Sequence, residues 1–528
     1  RGTSDRLKGH LPAERARAYC VSTECYSCRI LRYPTGLSGA RIHRKNQSGS
    51  LLTDTSDSSI DTDQKKTKKS AKSKKANHGI LRIKKNMTFH LPATDRRLWA
   101  LAWPLMLTNL TVPLLGLVDT AVLGHLESPE YLGAVAVGAN LFSILYWTFG
   151  FMRMGTTGLA AQAWGKRDSF SQVALLLRSV LLAISIGLLL ILFHPPLIQT
   201  GLTLMNPSQG VTELAAEYAA IRIWSAPAVL CQYTLVGWLI GTQFPRGPMV
   251  MLIAANGLNI VLDILFVTVL GWNSRGVAIA TVIAEYGAAT IGFLIVLSRM
   301  PEGQTLTRAL FGKLDDYLNI LRVNRYIMVR TITLLLVLAF FTAQGARQGD
   351  TILAANAVLI TFLLLISNAL DGFANAAEAL IGEAIGKGSR HRFRVVFRSA
   401  LRWSLWGALL LTIVFVAGGH WLISLLTGIE EVRATASRFL PWLWLLPFAA
   451  VWGFLLDGVF IGATRTRDMQ NTMLFSALAV FAPVWWLTTG WGNHGLWFAL
   501  ISLMIARAVS MGWLCWSHTR HGRWFQSQ

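Results

Sequence analysis

From residue 98 to residue 516 the chain is a succession of apolar runs separated by short polar loops. The runs fall near 98–123, 131–155, 171–193, 219–242, 248–271, 276–298, 325–346, 352–382, 396–417, 438–463, 470–490 and 495–516. Each is close to the roughly 20 residues that a membrane-crossing helix needs. Lipid offers no partner to a bare peptide group, so each run is expected to be helical. The pattern predicts an all-α polytopic membrane protein with twelve spans, the second and eighth running past the membrane surface.

Charge in the loops orients the spans. Arg96 and Arg97 precede the first run. Alternate loops then carry Lys166 and Arg167, Arg246, the group Arg299, Arg308, Lys313 and Arg322, the group Lys387, Arg390, Arg392 and Arg394, then Arg465 and Arg467, and finally Arg520 and Arg523. The opposite loops offer Arg275, Arg347, Arg433 and Arg438. The bias of Lys and Arg toward the cytoplasm places both termini there.

The two halves repeat. Gly124, Leu132 and Gly165-Lys166 match Gly345, Leu353 and Gly386-Lys387 at one constant offset along the chain. Ile240-Gly241 and Arg246 match Ile461-Gly462 and Arg467 at the same offset. Gly271-Trp272 and Gly276 match Gly490-Trp491 and Gly495 at an offset shorter by two. With six spans per half, the repeats share one orientation and face each other as two lobes across an axis along the membrane normal.

Composition changes the picture at the N-terminus. The chain is 53% hydrophobic and 14% charged, against about 25% charged in a soluble domain. Yet 20 of its 49 Lys+Arg lie in residues 1–90, with 7 of its 27 Asp+Glu. Residues 1–86 therefore read as a basic, disordered extension. They hold no apolar signal core. Met87, just before the first run, reads as the functional start; the competing reading is an arm that binds anionic lipid. The expected organisation is 1–86 extension, 87–300 first lobe, 301–324 cytoplasmic inter-lobe loop, 325–517 second lobe and 518–528 cytoplasmic tail. The net charge of +22 invites a nucleic-acid reading, which the body excludes because its basic residues sit in short loops. Cys20, Cys25 and Cys28 have no fourth ligand nearby and read as free thiols rather than a metal site.

Acids inside apolar runs ask for an explanation, because each costs about 2.5–3.5 kcal/mol at a helix centre. Asp119 lies in the first span. Asn256, Asn259 and Asp263 share one face of the fifth, at spacings of three and four. Asp119 and Asp263 lie at similar depth in the outer half of the first lobe. A carboxyl among apolar neighbours favours its protonated form, and a second carboxylate adds to this. The pair is therefore the candidate proton-coupling site; the competing reading is an acid neutralised by Arg153 of the second span. In the second lobe Asp371, Asn375 and Glu378 share a face of the eighth span, and Asp457 lies on the tenth. These are candidates for a substrate or cation site. Glu285 and Arg507 divide between packing support and function, and Glu383 pairs with Lys387 at the interface. Trp147, Trp224, Trp238 and Trp452 are candidates for a cavity lining, with packing the commoner fate of such residues. Pro104, Pro113 and Pro227 mark bends in the first and fourth spans. There is no phosphate-binding loop, HExxH or GxSxG sequence, so energy must come from an ion gradient or a partner.

The stretch Pro104 to His125, with Leu117-Val118-Asp119-Thr120-Ala121-Val122-Leu123-Gly124, resembles the first helix of MATE (multidrug and toxic compound extrusion) transporters, and within them the DinF branch. The likeness continues through Asn256-Gly257-Leu258-Asn259-Ile260-Val261-Leu262-Asp263, Ala284-Glu285-Tyr286, Leu370-Asp371-Gly372-Phe373 and Leu456-Asp457-Gly458-Val459-Phe460-Ile461-Gly462-Ala463-Thr464-Arg465. The resemblance implies a V-shaped fold in a bacterial inner membrane, with no cofactor, that acts as a monomer. It implies export of drugs and toxic organic compounds against H+ or Na+, with a protonation network at the positions of Asp119, Asp263 and Asn259. Asp457 stands one turn away from the acid of the Na+-coupled branch, which departs from that branch's pattern. Two rivals remain. A lipid-linked precursor flippase would show a cationic cavity, and an intramembrane enzyme would use paired acids such as Asp371 and Glu378.

Overall fold

A computed structural model describes residues 92–123, 129–205, 207–301 and 307–525, with side chains left aside at 110–123, 129 and 308. The basic extension, Met87 and the three N-terminal cysteines lie outside the described residues.

Among the described residues the chain is helical, without strands. The spans are α1 (Ala93–Leu123), α2 (Glu130–Lys166), α3 (Ser169–Leu192), α4 (Gln209–Gly241), α5 (Arg246–Val269), α6 (Asn273–Leu297), α7 (Leu314–Ala346), α8 (Asp350–Gly386), α9 (Arg390–Leu426), α10 (Pro441–Gly462), α11 (Thr466–Phe475, continued to Leu487) and α12 (Asn493–His521). Ten of these regions are long and apolar enough to cross a membrane by the described residues alone. The other two, α1 and the interrupted α11, complete twelve. Leu188, Leu192, Val261, Leu336 and Leu410 are exposed, the outward apolar belt that lipid covers.

Prolines act unevenly. α1 runs unbroken through Pro104 and Pro113. In α4 a single 3-10 turn, Ile223–Ser225, comes just before Pro227. π-helical turns occupy Ile264–Val269 in α5 and Ser476–Phe481 in α11. A helix at His194–Met205, between α3 and α4, was not expected from the apolar pattern.

Three large apolar cores organise the described part of the body, beside a small cluster of Val173, Ala174 and Leu310. The largest joins the halves: Leu98 and Leu101 of α1 and Trp238 and Leu239 of α4 share it with Phe373 and Leu380 of α8 and Phe460 of α10. All lie toward the helix ends that carry the basic loops. The other two cores stay within one half each. Phe142, Tyr146, Leu202 and Val277 belong to one, and Phe341, Phe362, Phe415 and Trp497 to the other. The halves are therefore packed together at the basic face and keep separate cores toward the opposite face.

The contacts repeat with the sequence. A Cβ on Gly237 would strike the Arg153 carbonyl, and one on Gly458 the Ala374 carbonyl. Gly241 meets Thr157 O, and Gly462 meets Glu378 O. Across the halves, Gly165 meets Glu383 O, and Gly386 meets Gln162 O. In every case the second contact is the first carried into the other half by the offset that relates Gly165 to Gly386. Lipid tails are as apolar as leucine, so close backbone approach at small residues, rather than hydrophobic burial, holds such helices together.

Candidate functional site: buried polar groups in and between the halves

In the first half, Asp263 is 0% exposed and Asn259 is 1% exposed, on one face of α5, while Asn256 is only half-buried. Asn259 Nδ2 donates to Thr281 Oγ1 of α6 at 3.3 Å, and Thr281 in turn donates to Val277 O at 2.8 Å. Asp263 ends the α-helical part of α5, and the π turn begins at the next residue. Such turns redirect side chains and concentrate at functional sites. α1 packs along α5; the side chain of Asp119 lies outside the described residues. Glu285 accepts from Gln232 Nε2 at 2.6 Å, and the same nitrogen donates to Glu285 O at 2.9 Å, tying α6 to α4.

Arg153 reaches across to the second half, where Nη1 donates to Asn375 Oδ1 at 3.0 Å. One turn on, Thr157 hydrogen-bonds Glu378. Glu378 is 1% exposed, and its Oε1 has no hydrogen-bond partner among the described residues. Asp371, two turns earlier on α8, is partly buried. Asn375 and Glu378 thus both reach α2.

Asp457 lies elsewhere in the second half, within an ion cluster. Its Oδ2 accepts from both Arg330 of α7 and Arg507 of α12, all three side chains being buried. Sequence reasoning missed Arg330, although it stands inside the seventh apolar run, where a base asks for an explanation as much as an acid does. Trp238 is packed in the joint core with its indole N–H on Gln172 O at 3.0 Å, whereas Trp147, Trp224 and Trp452 are exposed.

Polar contacts also fasten the halves at the basic face. Glu383 holds Lys387, but also Arg97 at 2.8 Å, Arg392 at 3.2 Å and Gln243 at 2.7 Å. Asp95 of α1 is buried against Ser399 and Arg402 of α9. Asp316 of α7 meets Arg178 of α3 at 3.3 Å. Gln162 donates to Gly462 O at 3.0 Å and to Thr464 Oγ1 at 3.3 Å. Asp95 and Asp316 look in sequence like ordinary first-turn helix acids. The signal that finds them is that they too are counterparts in the repeat, as far apart as Gly165 and Gly386.

Among the described residues no group of three or more His, Cys, Asp or Glu is placed to hold a metal ion. Comparison with known proteins gives a consistent result. The MatE family model matches residues 104–265 and again 327–487, once in each half. The DNA damage-inducible protein F of Escherichia coli (strain K12) is 44% identical over 82% of this chain and 95% of its own length. Solved structures share the fold, two of them as follows. One, described as MATE in the bent conformation, has a TM-score of 0.74 at 19% identity and covers 82% of this chain and 97% of that one. The other, an outward-facing multidrug resistance MATE family transporter of the MOP superfamily, has a TM-score of 0.71 at 20% identity, covering 81% and 97%.

Proposed function

The chain belongs to the MatE family of membrane transporters, and from that premise we propose that it is a proton-coupled antiporter exporting bulky cationic or amphipathic organic compounds. It works as a monomer in a bacterial inner membrane, with both termini in the cytoplasm. The observation that carries the coupling reading is the full burial of Asp263, one turn from Asn259, at the start of a π turn. A carboxyl buried inside a membrane span is the kind of group on which proton relays are built.

With the basic face in the cytoplasm, the shared core closes the cytoplasmic side and the state is outward-facing. Protons arriving from outside on Asp119 and Asp263 displace the substrate. The halves then rock about their joint, the protons leave to the cytoplasm and substrate binds again. One charge crossing 100 mV supplies about 2.3 kcal/mol, so one or two protons per cycle suffice for steep accumulation.

The second half supports this reading over its rivals. A flippase for lipid pyrophosphates needs uncommitted bases, yet Arg330 and Arg507 converge on Asp457 and Arg153 is engaged by Asn375. The guanidiniums also occupy the carboxylate that a Na+ site on α10 would use. Paired acids doing chemistry would make product without a gradient. The test is efflux from proteoliposomes under an imposed pH gradient or an imposed Na+ gradient. Only the pH gradient is expected to drive it, and Asp119→Asn and Asp263→Asn are each expected to abolish it with normal membrane levels. Undiminished efflux from both variants, or drive by Na+ alone, overturns the assignment.

A further inference from the structure

Two residues related by a two-fold repeat can touch each other only beside its axis. Thr157 and Glu378 are counterparts in the repeat and are hydrogen-bonded to each other. Ala161 and Gly382 are counterparts as well, and a Cβ on Gly382 would reach the Ala161 methyl. Gly165 and Gly386 then exchange contacts with Glu383 and Gln162. The cytoplasmic halves of α2 and α8 therefore cross on the axis itself, one residue pair per turn. Along that crossing Glu378 is the ionisable member, where the repeat has a neutral hydroxyl.

Its surroundings suit a carboxylic acid rather than a carboxylate. Thr157 Oγ1 donates its own hydrogen to Arg153 O at 2.8 Å. Its single hydrogen serves either Arg153 O or Glu378, and while it is committed to Arg153 O the hydrogen toward Thr157 comes from Glu378 as a carboxylic acid. The other carboxyl oxygen, Oε1, is buried without a partner among the described residues. The charged groups acting on Glu378 are Arg153 of α2, Asp371 of its own helix and Asp457 of α10. Arg153, hydrogen-bonded to the neutral Asn375, is the one cation among them, and the other two are acids. Arg330 of α7 and Arg507 of α12 are held by Asp457. Arg97 of α1, Lys387 of α8 and Arg392 of α9 gather on Glu383, more than a turn further along α8. The backbone of Gly462 of α10 packs on the Glu378 carbonyl, as that of Gly241 of α4 packs on the Thr157 carbonyl. A full negative charge there would be offset by no hydrogen bond on Oε1.

We infer that Glu378 is a proton-operated lock between the halves. It is protonated while α2 and α8 are packed on the axis, and it ionises when the halves part at the basic face and water reaches it. The proton returns from the same side on closing, so it never crosses the membrane and adds nothing to the transport stoichiometry. What it adds is control: a more alkaline cytoplasm favours opening on that side. The inference rests on the alternating-access reading above, but it has a separate readout.

That readout is the distance across the basic face. Spin labels at Ser298→Cys, just after α6, and Arg467→Cys on α11, both exposed positions, report it in a full-length background with the five native cysteines replaced. Closing binds one more proton than opening, so low pH favours the closed form. The open-to-closed ratio is expected to rise by up to about tenfold per pH unit once Glu378 in the open state loses its proton, and to level off when the closed state loses it as well. Glu378→Gln is expected to stay closed at every pH, while Glu378→Asp retains a pH response. Thr157→Val, which removes the acceptor, is expected to raise the open fraction at low pH. The double variant Asp119→Asn, Asp263→Asn is expected to lose transport yet keep this pH response, which separates the two readings. A distance distribution independent of pH in the parent protein overturns the lock, whatever the variants do. So does a Glu378→Gln protein that still opens with pH, or a response that vanishes with Asp119 and Asp263 instead.

Discussion

Residues 157–168 and 378–389 trace the same backbone. Each segment ends a span, turns through one residue with positive φ (Arg167 at 57°, Gly388 at 65°) and caps the next helix with a side chain: Asp168 onto Ser171 N, Ser389 onto Arg392 N. Each sends a side chain across to the other half. From Gln162 that contact is neutral, to Gly462 O and Thr464; from Glu383 it is an ion cluster. The recipients, Gln243 and Thr464, are themselves counterparts in the repeat, and both have positive φ. Thr157 faces Glu378 in the same way. The geometry is fixed by small residues and turns, and the chemistry has been free to differ on top of it. Charge placed on one copy and not the other makes the machine asymmetric without altering its hinge.

Substitutions at paired positions sharpen or break this comparison. The largest effect is expected at Asp457, whose counterpart in the first half is Val236. Asp457→Leu leaves Arg330 and Arg507 buried without their counter-ion and is expected to cost about 3–5 kcal/mol of stability. Val236→Ala is expected to cost about 1 kcal/mol. Thermal unfolding in detergent compares them, and equal losses sink the idea that the second half stakes its stability on charge.

Next comes the ion cluster at the basic face. Glu383→Gln is expected to cost about 1.5–3 kcal/mol, the range for hydrogen bonds to charged groups, and Gln162→Ala about 1 kcal/mol. Arg97, Lys387 and Arg392 are partly exposed, so raising salt to molar levels should weaken the parent contact and leave Glu383→Gln unchanged. Gly165→Val and Gly386→Val should be destabilising by similar amounts, about 1–3 kcal/mol each, because both force a side chain into an opposing carbonyl. A large inequality between these two breaks the repeat as a packing rule.

The smallest effect concerns the caps. Asp168→Ala and Ser389→Ala should each cost about 1 kcal/mol near neutral pH. They differ in pH dependence. Hydrogen bonds from the Ser171 hydroxyl and backbone N–H hold the Asp168 carboxyl below its usual value of 3.8. Its contribution is therefore complete above that value and is lost as pH falls through the lowered one. Stability measured down through acid pH should narrow the gap between parent and Asp168→Ala while leaving the Ser389→Ala gap unchanged.

The spans were legible because lipid imposes one requirement along some 20 residues at a time, which survives errors at any single position. What escaped was local. The helix at His194–Met205 begins His194-Pro195-Pro196, which reads as a break although proline is tolerated in a first turn. The span starting at Gln209 carries Glu213, Glu217 and Arg222 ahead of its apolar part, so the apolar run begins well after the helix does. The π turns follow from packing and leave no composition behind. Among polar groups, Asp263, Glu378 and Asp457 stood out by their cost in an apolar run. Arg153 and Arg507 stood out as well, but the pairings did not, since Arg330 with Asp457, Arg153 with Asn375 and Thr157 with Glu378 each join helices that lie far apart along the chain.

The contact between Ala161 and Gly382 has a further meaning. In an assembly of two identical six-helix chains, that would be one residue meeting its own copy, and every change there would happen on both sides at once. A glutamate at the axis would then face a glutamate, two acids competing for the same dry space. Joining the halves in a single chain removes that constraint. One side can keep threonine while the other carries an acid, so a solitary ionisable group on the axis is something only a fused protein can hold.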